Sequence, residues 1–562
     1  MNKKVLIVGG VAGGASAAAR LRRLNEYAEI IMFEKGEHIS FANCGLPYYI
    51  GGEIEKRASL ILQTPEAFHS RFNVDVRIFS EVVAIDREKK TVEVKNHQTG
   101  ENYTESYDNL ILSPGAEPIK PSISGVESKG VFTLRSIPDT DRIKNFIEEN
   151  KPRSVAIVGG GYIGVEMAEN LHKAGLSVTL IEMSNQVIAP LDFDMACGVH
   201  RHIENKGVKL LLGAAVKSIQ ENNGKLSVEL SNGSLDADML LLSIGVRPET
   251  CLAREAGLML NERGSIVVDG KMRTSGKDIY AVGDAVEVTD FVTGQKAFIP
   301  LAGPANKQGR IAADNICGIE SYYTGTQGSS ILRVFDITVA TTGINEKTAL
   351  RFEFDYDKIF THPTSHAMYY PGFEYTAIKT LFDRKTGKIL GAQVVGFEGC
   401  DKNCDVLATA IRFGATAKDL AELELCYAPP YSSAKDPANM IGFAIENLLS
   451  GKYQQIHWHD YEKLPRDGSV IFLDTRMKEE FESAPIEGFL NIPTGELRNR
   501  MHELDKNKTI YVSCRVGLQG YIACRALSQH GFTCYNISGG YRLYSSLFGG
   551  KRVVGCCADG KS

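Results

Sequence analysis

The chain has 562 residues, of which 43% are hydrophobic and 23% are charged, and its formal net charge is −5. These values are typical of a globular protein with several domains, and they exclude a disordered or fibrous chain. Because 63 basic residues are balanced by 68 acidic ones, charge predicts neither a nucleic-acid partner nor a membrane partner. We therefore expect small-molecule chemistry.

The 12 cysteines do not form CxxC pairs. They predict free thiols in a reducing, cytoplasmic compartment, and we expect no bound metal. The first 20 residues have some features of a signal peptide, but a strand that runs into a glycine turn accounts for every position. No other stretch is apolar for long enough to predict a membrane span.

The first predicted elements form a strand–helix–strand unit. Strand Val5–Val8 enters a glycine cluster, an Ala-rich helix follows, and the next strand ends at Glu34. Glycines allow a backbone to approach a pyrophosphate at a helix N-terminus, and a carboxylate at the strand end suits ribose hydroxyls. The cluster consists of Gly9, Gly10, Val11, Ala12, Gly13 and Gly14. Val11 replaces the usual middle glycine, so an ordinary glycine-rich turn stays open as an alternative.

A second strand–helix–strand unit begins at Val155–Val158 and ends at Glu182. Its turn matches the dinucleotide-binding fingerprint in full, with Gly159, Gly160, Gly161, Tyr162, Ile163 and Gly164. The Glu182 carboxylate would repel a 2′-phosphate, so we expect NADH to be preferred over NADPH.

The pattern of predicted strands and helices changes twice in the remaining chain. Doubly wound α/β alternation continues to about residue 325, and strands with long helices then predict an α+β domain. A polar stretch over residues 452–468 predicts a connector. Three further strands, Val470–Asp474, Thr509–Ser513 and Thr533–Ile537, predict a small α/β module.

Cys44 is the candidate redox centre. It lies in the segment Ser40–Tyr49, directly before a predicted helix start with Pro47 in the first turn. Helix-end amides are expected to favour its thiolate. No second cysteine follows nearby, so the oxidised form must be a mixed disulfide with a substrate thiol or a sulfenic acid.

Two further segments, Leu112–Pro118 and Asp278–Ala285, complete a resemblance to the flavoprotein disulfide reductases with two dinucleotide-binding domains. The resemblance implies that the first unit binds FAD and the second binds NAD(P)H. The implied FAD residues are Gly9, Gly10, Val11, Ala12, Gly13, Gly14, Glu34, Lys35, Asn43, Ser113, Pro114, Gly115, Gly283 and Asp284. The implied nicotinamide-side residues are Gly159, Gly161, Tyr162, Ile163, Gly164, Glu166, Glu182 and Gly245.

The segment around Cys44 resembles coenzyme A disulfide reductases specifically, and the likeness covers residues 1 to about 450. It implies a homodimer in which Tyr369 and Tyr427 reach the partner's cysteine. The implied coenzyme A residues are Ser16, Arg20, Arg23, Ser40, Asn43, Asn306 and Lys435, and guanidinium groups suit the phosphates of this ligand. A solvated helix face for the arginines, and interface packing for the tyrosines and Lys435, stay open as alternatives.

The C-terminal module resembles rhodanese sulfurtransferase domains, through Tyr511–Gly520 and its flanking segments. Amides of the loop after Cys514 are expected to form an anion-binding cavity for a thiolate or persulfide. Gly520 stands where a related phosphatase needs arginine, which argues against phosphate chemistry. Gln519 stands where many relatives have arginine and reduces the positive charge. Cys556 and Cys557 are expected to be a feature of the chain end, while exchange of sulfur with Cys514 stays open as an alternative.

The resemblance thus implies two Rossmann-like domains, an α+β dimerisation domain and a rhodanese-like α/β domain. The expected boundaries are 1–150 and 271–325 for FAD, 151–270 for NAD(P)H, 326–450 for dimerisation, 451–468 for a linker and 469–555 for rhodanese. The implied function is reduction of coenzyme A persulfides, polysulfides and coenzyme A disulfide through a Cys44 mixed disulfide, with sulfane sulfur delivered by Cys514.

Two other classes of function stay open. One is an NADH oxidase or peroxidase that uses a Cys44 sulfenic acid, although Ala12 stands where the peroxidases have a histidine. The other is a non-catalytic sulfur-trafficking protein.

Overall fold

The computed structural model describes residues 3–222 and 224–549 of the chain. These residues divide into two units. The first unit extends to Val187 and continues over Gly207–Gly328, and the second comprises Ile188–Lys206 and the chain from Ser329 onward. No helix within the described ranges is long and apolar enough to cross a bilayer.

The strands have the following bounds, in chain order: β1 Lys4–Val8, β2 Glu29–Phe33, β3 Asp75–Arg77, β4 Ser80–Asp86, β5 Thr91–Asn96, β6 Asn102–Ser106, β7 Asn109–Leu112, β8 Ala116–Pro118, β9 Val131–Thr133, β10 Ser154–Val158, β11 Ser177–Glu182, β12 Lys209–Leu212, β13 Val216–Asn222, β14 Lys225–Leu230 and β15 Gly233–Ala237. The later strands are β16 Met239–Leu242, β17 Val246–Pro248, β18 Ile279–Ala281, β19 Val288–Thr289, β20 Lys296–Ala297, β21 Ser330–Val334, β22 Ile337–Gly343, β23 Tyr356–Thr361, β24 Ala377–Asp383, β25 Ile389–Gly396, β26 Gln455–Ile456, β27 Val470–Asp474, β28 Leu490–Asn491, β29 Thr509–Ser513 and β30 Cys534–Ile537.

The α-helices are α1 Ala12–Leu24, α2 Leu46–Ile50, α3 Pro65–Phe72, α4 Ile137–Asn150, α5 Tyr162–Lys173, α6 Phe193–Asn205, α7 Cys251–Glu255, α8 Ala302–Ile316, α9 Glu346–Arg351, α10 Cys400–Arg412, α11 Ala417–Glu422, α12 Pro437–Leu449, α13 Trp458–Tyr461, α14 Lys478–Ser483, α15 Leu497–Arg500, α16 Leu518–Gln529 and α17 Gly540–Phe548. Short 3₁₀ turns cover Asn43–Gly45, Arg57–Leu60, Gly283–Ala285 and Met501–Glu503.

The first unit is built on two parallel sheets. One has the strand order β18-β7-β1-β2-β3 and the other β12-β11-β10-β16-β9. Their central strands are continuous apolar runs, which is expected where both faces of a parallel sheet are covered. Each carries a strand–glycine turn–helix unit at the predicted place, so the predicted Rossmann-like architecture is confirmed.

The second unit contains an antiparallel sheet of order β21-β22-β25-β24-β23. Strands β24 and β25 pair across the turn predicted at residues 383–388, and helices α10 to α12 follow. Asp436 caps α12 through its side chain and Pro437 occupies the first helical turn, which fixes where this helix begins. The predicted α+β domain is therefore confirmed.

The C-terminal module is a parallel sheet of order β26-β30-β29-β27-β28 with helices around it. The predicted linker over 451–468 is partly wrong, because β26 pairs with β30 and α13 packs into the module. Trp458 is only 1% exposed, and its indole N–H donates to the Gly540 carbonyl at 2.8 Å. Trp458 and Tyr461, which stand among polar residues in the sequence, were the signal for helix α13. Cys556 and Cys557 lie outside the described residues.

Helix α6 belongs to the second unit, although it lies within the predicted NAD(P)H segment. The fully buried Lys379 ammonium contacts Asp192 at 3.0 Å and Asp194 at 2.7 Å, and it also contacts Glu346. Burial alone would raise the pKa of Glu346, but the charges of Lys379 and Lys358 outweigh it and lower the pKa to about 2. An ammonium group thus occupies the centre of this acidic cluster.

Candidate functional site

The first glycine turn requires glycine for two close approaches. Gly9 has φ +95°, and a Cβ atom there would lie 2.1 Å from the Ser113 carbonyl oxygen. A Cβ atom on Gly14 would lie 1.9 Å from the Gly9 carbonyl oxygen. Any side chain at these positions would push β1, β7 and α1 apart, so the turn is fixed by the sequence.

A cavity of about 430 Å³ lies beside this turn. Its wall includes all the predicted FAD residues except Gly10 and Gly14, namely Gly9, Val11, Ala12, Gly13, Glu34, Lys35, Asn43, Ser113, Pro114, Gly115, Gly283 and Asp284. Gly10 lies behind the wall, where its N–H donates to Glu34 Oε2 at 3.0 Å. A helix N-terminus beside a carboxylate at a strand end has the shape and polarity that a dinucleotide needs, so these residues fit FAD.

Asp284 closes one side of the same cavity, in the 3₁₀ turn Gly283–Ala285. Gln308 holds this turn, since its side-chain oxygen accepts from the Gly283 N–H at 2.7 Å. Burial raises the pKa of the Asp284 carboxyl, and the positive charge of Arg135 partly opposes the shift.

Cys44 is exposed and lies in the 3₁₀ turn that precedes α2. The expectation that helix-end amides favour its thiolate is wrong. Surrounding protein atoms desolvate the sulfur and the carboxylates of Glu166 and Asp284 add negative charge, so the pKa of the thiol is raised above 9.0. Helix α2 has only five residues, which leaves it a weak dipole.

A second cavity, of about 410 Å³, is lined by the predicted substrate residues Ser16, Arg20, Arg23, Ser40 and Asn306. The predicted residue Asn43 lines the first cavity instead, and Lys435 lies in the other unit. Two arginines that the sequence analysis missed, Arg71 on α3 and Arg310 on α8, complete the lining. We call this site the basic cavity.

Arg20 is anchored within the basic cavity. Its Nε–H donates to Asp314 Oδ1 at 2.6 Å, and the Asp314 side chain is almost fully buried. The Ser16 hydroxyl donates to Asn306 Oδ1 at 2.7 Å, which links α1 to α8. The solvated-face alternative therefore does not describe Arg20, whereas Arg23 is exposed.

The segment that ends in Cys44 separates the two cavities. Ser40 lines the basic cavity, whereas Phe41 and Asn43 line the first cavity. Helix α8 does the same, because Ala305 faces the first cavity and Asn306 the basic one. Cys44 is thus the next residue after the segment that lies between the two cavities.

The second glycine turn repeats the first. Gly159 has φ +107°, and a Cβ atom there would lie 2.4 Å from the Ser243 carbonyl oxygen. The Glu182 carboxylate accepts from the Gly160 N–H at 2.7 Å and from the Ser184 N–H at 2.8 Å. Helix α5 begins at Tyr162, and the other predicted residues of this site lie on or beside the turn: Gly161, Ile163, Gly164, Glu166 and Gly245.

The predicted residues of the second unit include a tyrosine pair. The Tyr369 and Tyr427 hydroxyls are 2.9 Å apart, and their side chains are 74% and 46% exposed. The hydrogen bond to Tyr427 raises the pKa of Tyr369. Lys435 is exposed directly before the N-cap of α12.

Cys514 is fully buried at the end of β29. The Gly517 N–H donates to its sulfur at 3.0 Å. Burial raises the pKa of the thiol, while the amides of Gly520, Val516 and Gly517 act in the opposite direction and are outweighed. The predicted amide cradle is therefore present around the sulfur, but it does not reverse the effect of burial.

The surroundings of the Cys514 loop explain why Gly520 is a glycine. A Cβ atom on Gly520 would lie 2.3 Å from Asn536 Oδ1, so an arginine does not fit there. Arg515 follows Cys514 directly, and the guanidinium groups of Arg515 and Arg542 lie 5.7 and 4.5 Å from the Tyr375 ring. Neither arginine was predicted as a site residue from the sequence.

Comparisons with known proteins agree with this architecture. The pyridine nucleotide-disulphide oxidoreductase family matches residues 3–309, its dimerisation domain matches 330–438, and the rhodanese-like domain matches 457–547. The chain therefore belongs to the pyridine nucleotide-disulphide oxidoreductases and carries a rhodanese-like domain. Members of this family use FAD and NAD(P)H, so the chain is a flavoprotein oxidoreductase.

Individual relatives narrow the resemblance. The coenzyme A disulfide reductase of Staphylococcus epidermidis is 37% identical over 442 residues, which cover 78% of this chain and 99% of the relative. The crystal structure of reduced CoADR-RHD from Bacillus anthracis has a TM-score of 0.95 and 51% identity, covering 97% of this chain and 98% of that one. A NAD-dependent persulfide reductase from A. fulgidus has a TM-score of 0.90 and 36% identity, covering 96% and 100%. The resemblance stated from the motifs is confirmed.

Proposed function

We propose that the protein is an NADH-preferring reductase of coenzyme A persulfides, polysulfides and coenzyme A disulfide. One observation carries the proposal. Cys44 comes directly after a segment whose residues line both a cavity that fits FAD and a cavity lined by arginines. Substrate sulfur held by the second cavity would meet Cys44 beside the first.

The basic cavity suits a nucleotide with phosphates. Arg23, Arg71 and Arg310 surround it, and the Arg71 guanidinium lies 5.2 Å from the centre of the Phe72 ring. Guanidinium groups pair with phosphate oxygens in bidentate fashion, and aromatic rings offer a surface for a base. This combination supports coenzyme A as the carrier of the reacting sulfur.

Cys44 acts as the nucleophile in this proposal. Its thiolate attacks a substrate S–S bond, forms a mixed disulfide and expels hydrosulfide or coenzyme A thiolate. Bound FAD and NADH supply the two electrons that reopen the mixed disulfide. Because the pKa of Cys44 is raised, the thiolate fraction, and with it the rate of attack, increases with pH.

The second unit supplies the remaining roles. We assign the Tyr369 and Tyr427 hydroxyls to the leaving sulfur and Lys435 to a coenzyme A phosphate, each across the interface of a homodimer. Exposure of the tyrosine pair leaves it accessible for this use. Cys514 takes sulfane sulfur from a donor and carries it as a persulfide, held by the Gly517 amide. Glu182 sets the preference for NADH.

The experiment compares variants on separate substrates. Cys44→Ser should abolish NADH-dependent reduction of coenzyme A persulfide, coenzyme A disulfide and polysulfide, because the Cys44 thiolate is the proposed nucleophile for all three substrates. Cys514→Ser should retain reduction of coenzyme A disulfide and slow that of polysulfide. Cys251→Ser, at another exposed cysteine of the first unit, is the matched control. Reduction that survives in Cys44→Ser, or NADH turnover with oxygen that exceeds turnover with every sulfur substrate, would overturn the proposal.

A further inference from the structure

Two buried thiols of the C-terminal module have no role in the reaction above. Cys524 on α16 is 1% exposed and Cys534 at the start of β30 is 8% exposed. The Cys534 thiol donates to the Cys524 carbonyl oxygen at 3.4 Å, which places the two cysteines side by side. They form a dithiol, Cys524/Cys534, without a disulfide.

The helix and strand that carry this dithiol also reach Cys514. Gly520 and Cys524 are four residues apart on α16 and share one face, while Cys534 and Asn536 are two residues apart on β30 and share one face. At Gly520 a Cβ atom would lie 2.3 Å from Asn536 Oδ1 and 3.6 Å from the Cys514 sulfur. Cys524 therefore lies one helical turn after Gly520, the residue of α16 that faces the Cys514 sulfur.

A second observation concerns Asn536, which is 5% exposed. Its amide nitrogen donates to the Gly517 carbonyl at 3.2 Å, whereas its buried Oδ1 has no hydrogen-bond partner within residues 3–222 and 224–549. A buried acceptor without a donor costs free energy. The S–H group of a hydropersulfide on Cys514 would supply a donor beside this oxygen.

We propose that Cys524/Cys534 is a redox site that reduces the sulfane sulfur carried by Cys514 and releases it as hydrosulfide. The inference rests on the proposed role of Cys514 as a persulfide carrier. Cys524 attacks the terminal sulfur of the Cys514 persulfide, which breaks its S–S bond and transfers the outer sulfur to Cys524. The leaving Cys514 thiolate takes the Cys524 proton.

The second step closes the disulfide. The Cys534 sulfur attacks the inner sulfur of the Cys524 persulfide, the Cys534 proton passes to the outer sulfur, and that sulfur leaves at the sulfide level. Two thiols are thereby oxidised and one sulfane sulfur is reduced. The hydrogen bond from Cys524, a backbone hydrogen bond at Ser528 and the charge of Arg525 lower the pKa of Cys534. Burial raises the pKa of Cys524, and its contact with Cys534 and the nearby charge of Cys514 add to the shift. Cys534 therefore gives up its proton more readily than Cys524 in this step.

The experiment uses the full-length, FAD-loaded protein without NADH, treated with inorganic polysulfide. Peptide mapping by mass spectrometry after rapid alkylation should find a persulfide on Cys514, followed by a Cys524–Cys534 disulfide. In Cys514→Ser the disulfide should form at least about tenfold more slowly. In Cys534→Ala it should be absent, and persulfide should accumulate on Cys514 or Cys524.

A second buried pair provides the control. Cys400 and Cys404 are also close and buried in the same unit, but burial raises the pKa of each to about 12, so they should stay reduced. A Cys514 persulfide that persists while Cys524/Cys534 stays reduced would overturn the inference, as would equally fast disulfide formation in Cys514→Ser. If no persulfide forms on Cys514, the proposed function fails and this inference fails with it. NADH-dependent reduction of coenzyme A disulfide should be unchanged in Cys534→Ala, and an unchanged unfolding temperature of the C-terminal module would show that this variant is folded.

Discussion

The sulfur of Cys44 and the sulfur of Cys514 are held in different ways. Cys44 is exposed beside two carboxylates, whereas Cys514 is fully buried and accepts a hydrogen bond from a loop amide. Negative charge near Cys44 favours the thiol, which suits a sulfur that is regenerated after each turnover. Loop amides near Cys514 suit a sulfur that holds a persulfide. The difference fits the proposed roles, in which Cys44 turns over substrate and Cys514 carries it.

Lys379→Met should have the largest effect on this comparison, because it leaves three clustered carboxylates without their central cation. Removing one partner of a buried ion pair costs about 3–5 kcal/mol, so we expect the second unit to unfold at lower temperature in calorimetry. The Cys44 thiol, in the first unit, should titrate as before. If the titration of Cys44 also shifts in Lys379→Met, the Cys44 site depends on the stability of the second unit.

The same cluster predicts a pH dependence of stability. The pKa of Glu346 is lowered from 4.5 to about 2, so its contribution is present above pH 4.5 and is lost as the pH falls toward 2. The wild type should lose stability over this interval, and Lys379→Met should lose less because its Glu346 is no longer stabilised as a carboxylate.

Gly540→Ala should disable Cys514 alone. Gly540 has φ +57°, and a Cβ atom there would lie 2.4 Å from the Cys514 carbonyl oxygen. We expect a loss of about 2–4 kcal/mol in the stability of the module and loss of sulfur transfer from thiosulfate, with reduction of coenzyme A disulfide retained. Gly531→Ala is the control, because φ is +82° there but no atom lies within 4 Å. If both variants lose stability and sulfur transfer equally, the cause is the positive φ and not the contact with the Cys514 loop.

Arg71→Ala should raise the KM for coenzyme A disulfide about fivefold to tenfold and leave kcat nearly unchanged, because it removes one phosphate contact from the basic cavity. Lys129→Ala, at an exposed cation of the same unit, should have no effect. Steady-state kinetics checks this, and an unchanged KM in Arg71→Ala would remove this arginine from the substrate site.

Glu166→Gln should have the smallest effect. It removes one of the two carboxylate charges that raise the pKa of Cys44, so the pKa should fall by less than about one unit. At a fixed pH below the pKa, alkylation of Cys44 should then become a few times faster. Rates of alkylation measured against pH would check the shift, and Cys514 should react as in the wild type.

Sequence motifs predicted the parts of the site that depend on local backbone geometry. Gly9 and Gly159 each fix a strand–turn–helix unit, and the strand ends at Glu34 and Glu182 follow from the same pattern. The segment around Cys44 was also predictable, because it is continuous in sequence.

Residues that reach a site through packing were not predictable. Arg71 and Arg310 come to the basic cavity only because α3 and α8 lie beside α1, and Arg542 reaches the Cys514 loop from a different helix. The raised pKa of Cys44 was missed for the same reason, since Glu166 and Asp284 are remote in sequence. Thr64 at the N-cap and Pro65 in the first turn were local signals for α3, but they did not indicate that Arg71 reaches the basic cavity.

The excursion of residues 188–206 into the second unit means that no single cut of the backbone can part the two halves of the protein. Cleavage after Gly328 would leave α6 covalently attached to the N-terminal fragment while Asp192 and Asp194 remain bound to Lys379 of the other. The fragments of a nicked chain are therefore expected to copurify. A C-terminal half expressed alone would keep Glu346 beside the buried Lys379 but would lack Asp192 and Asp194.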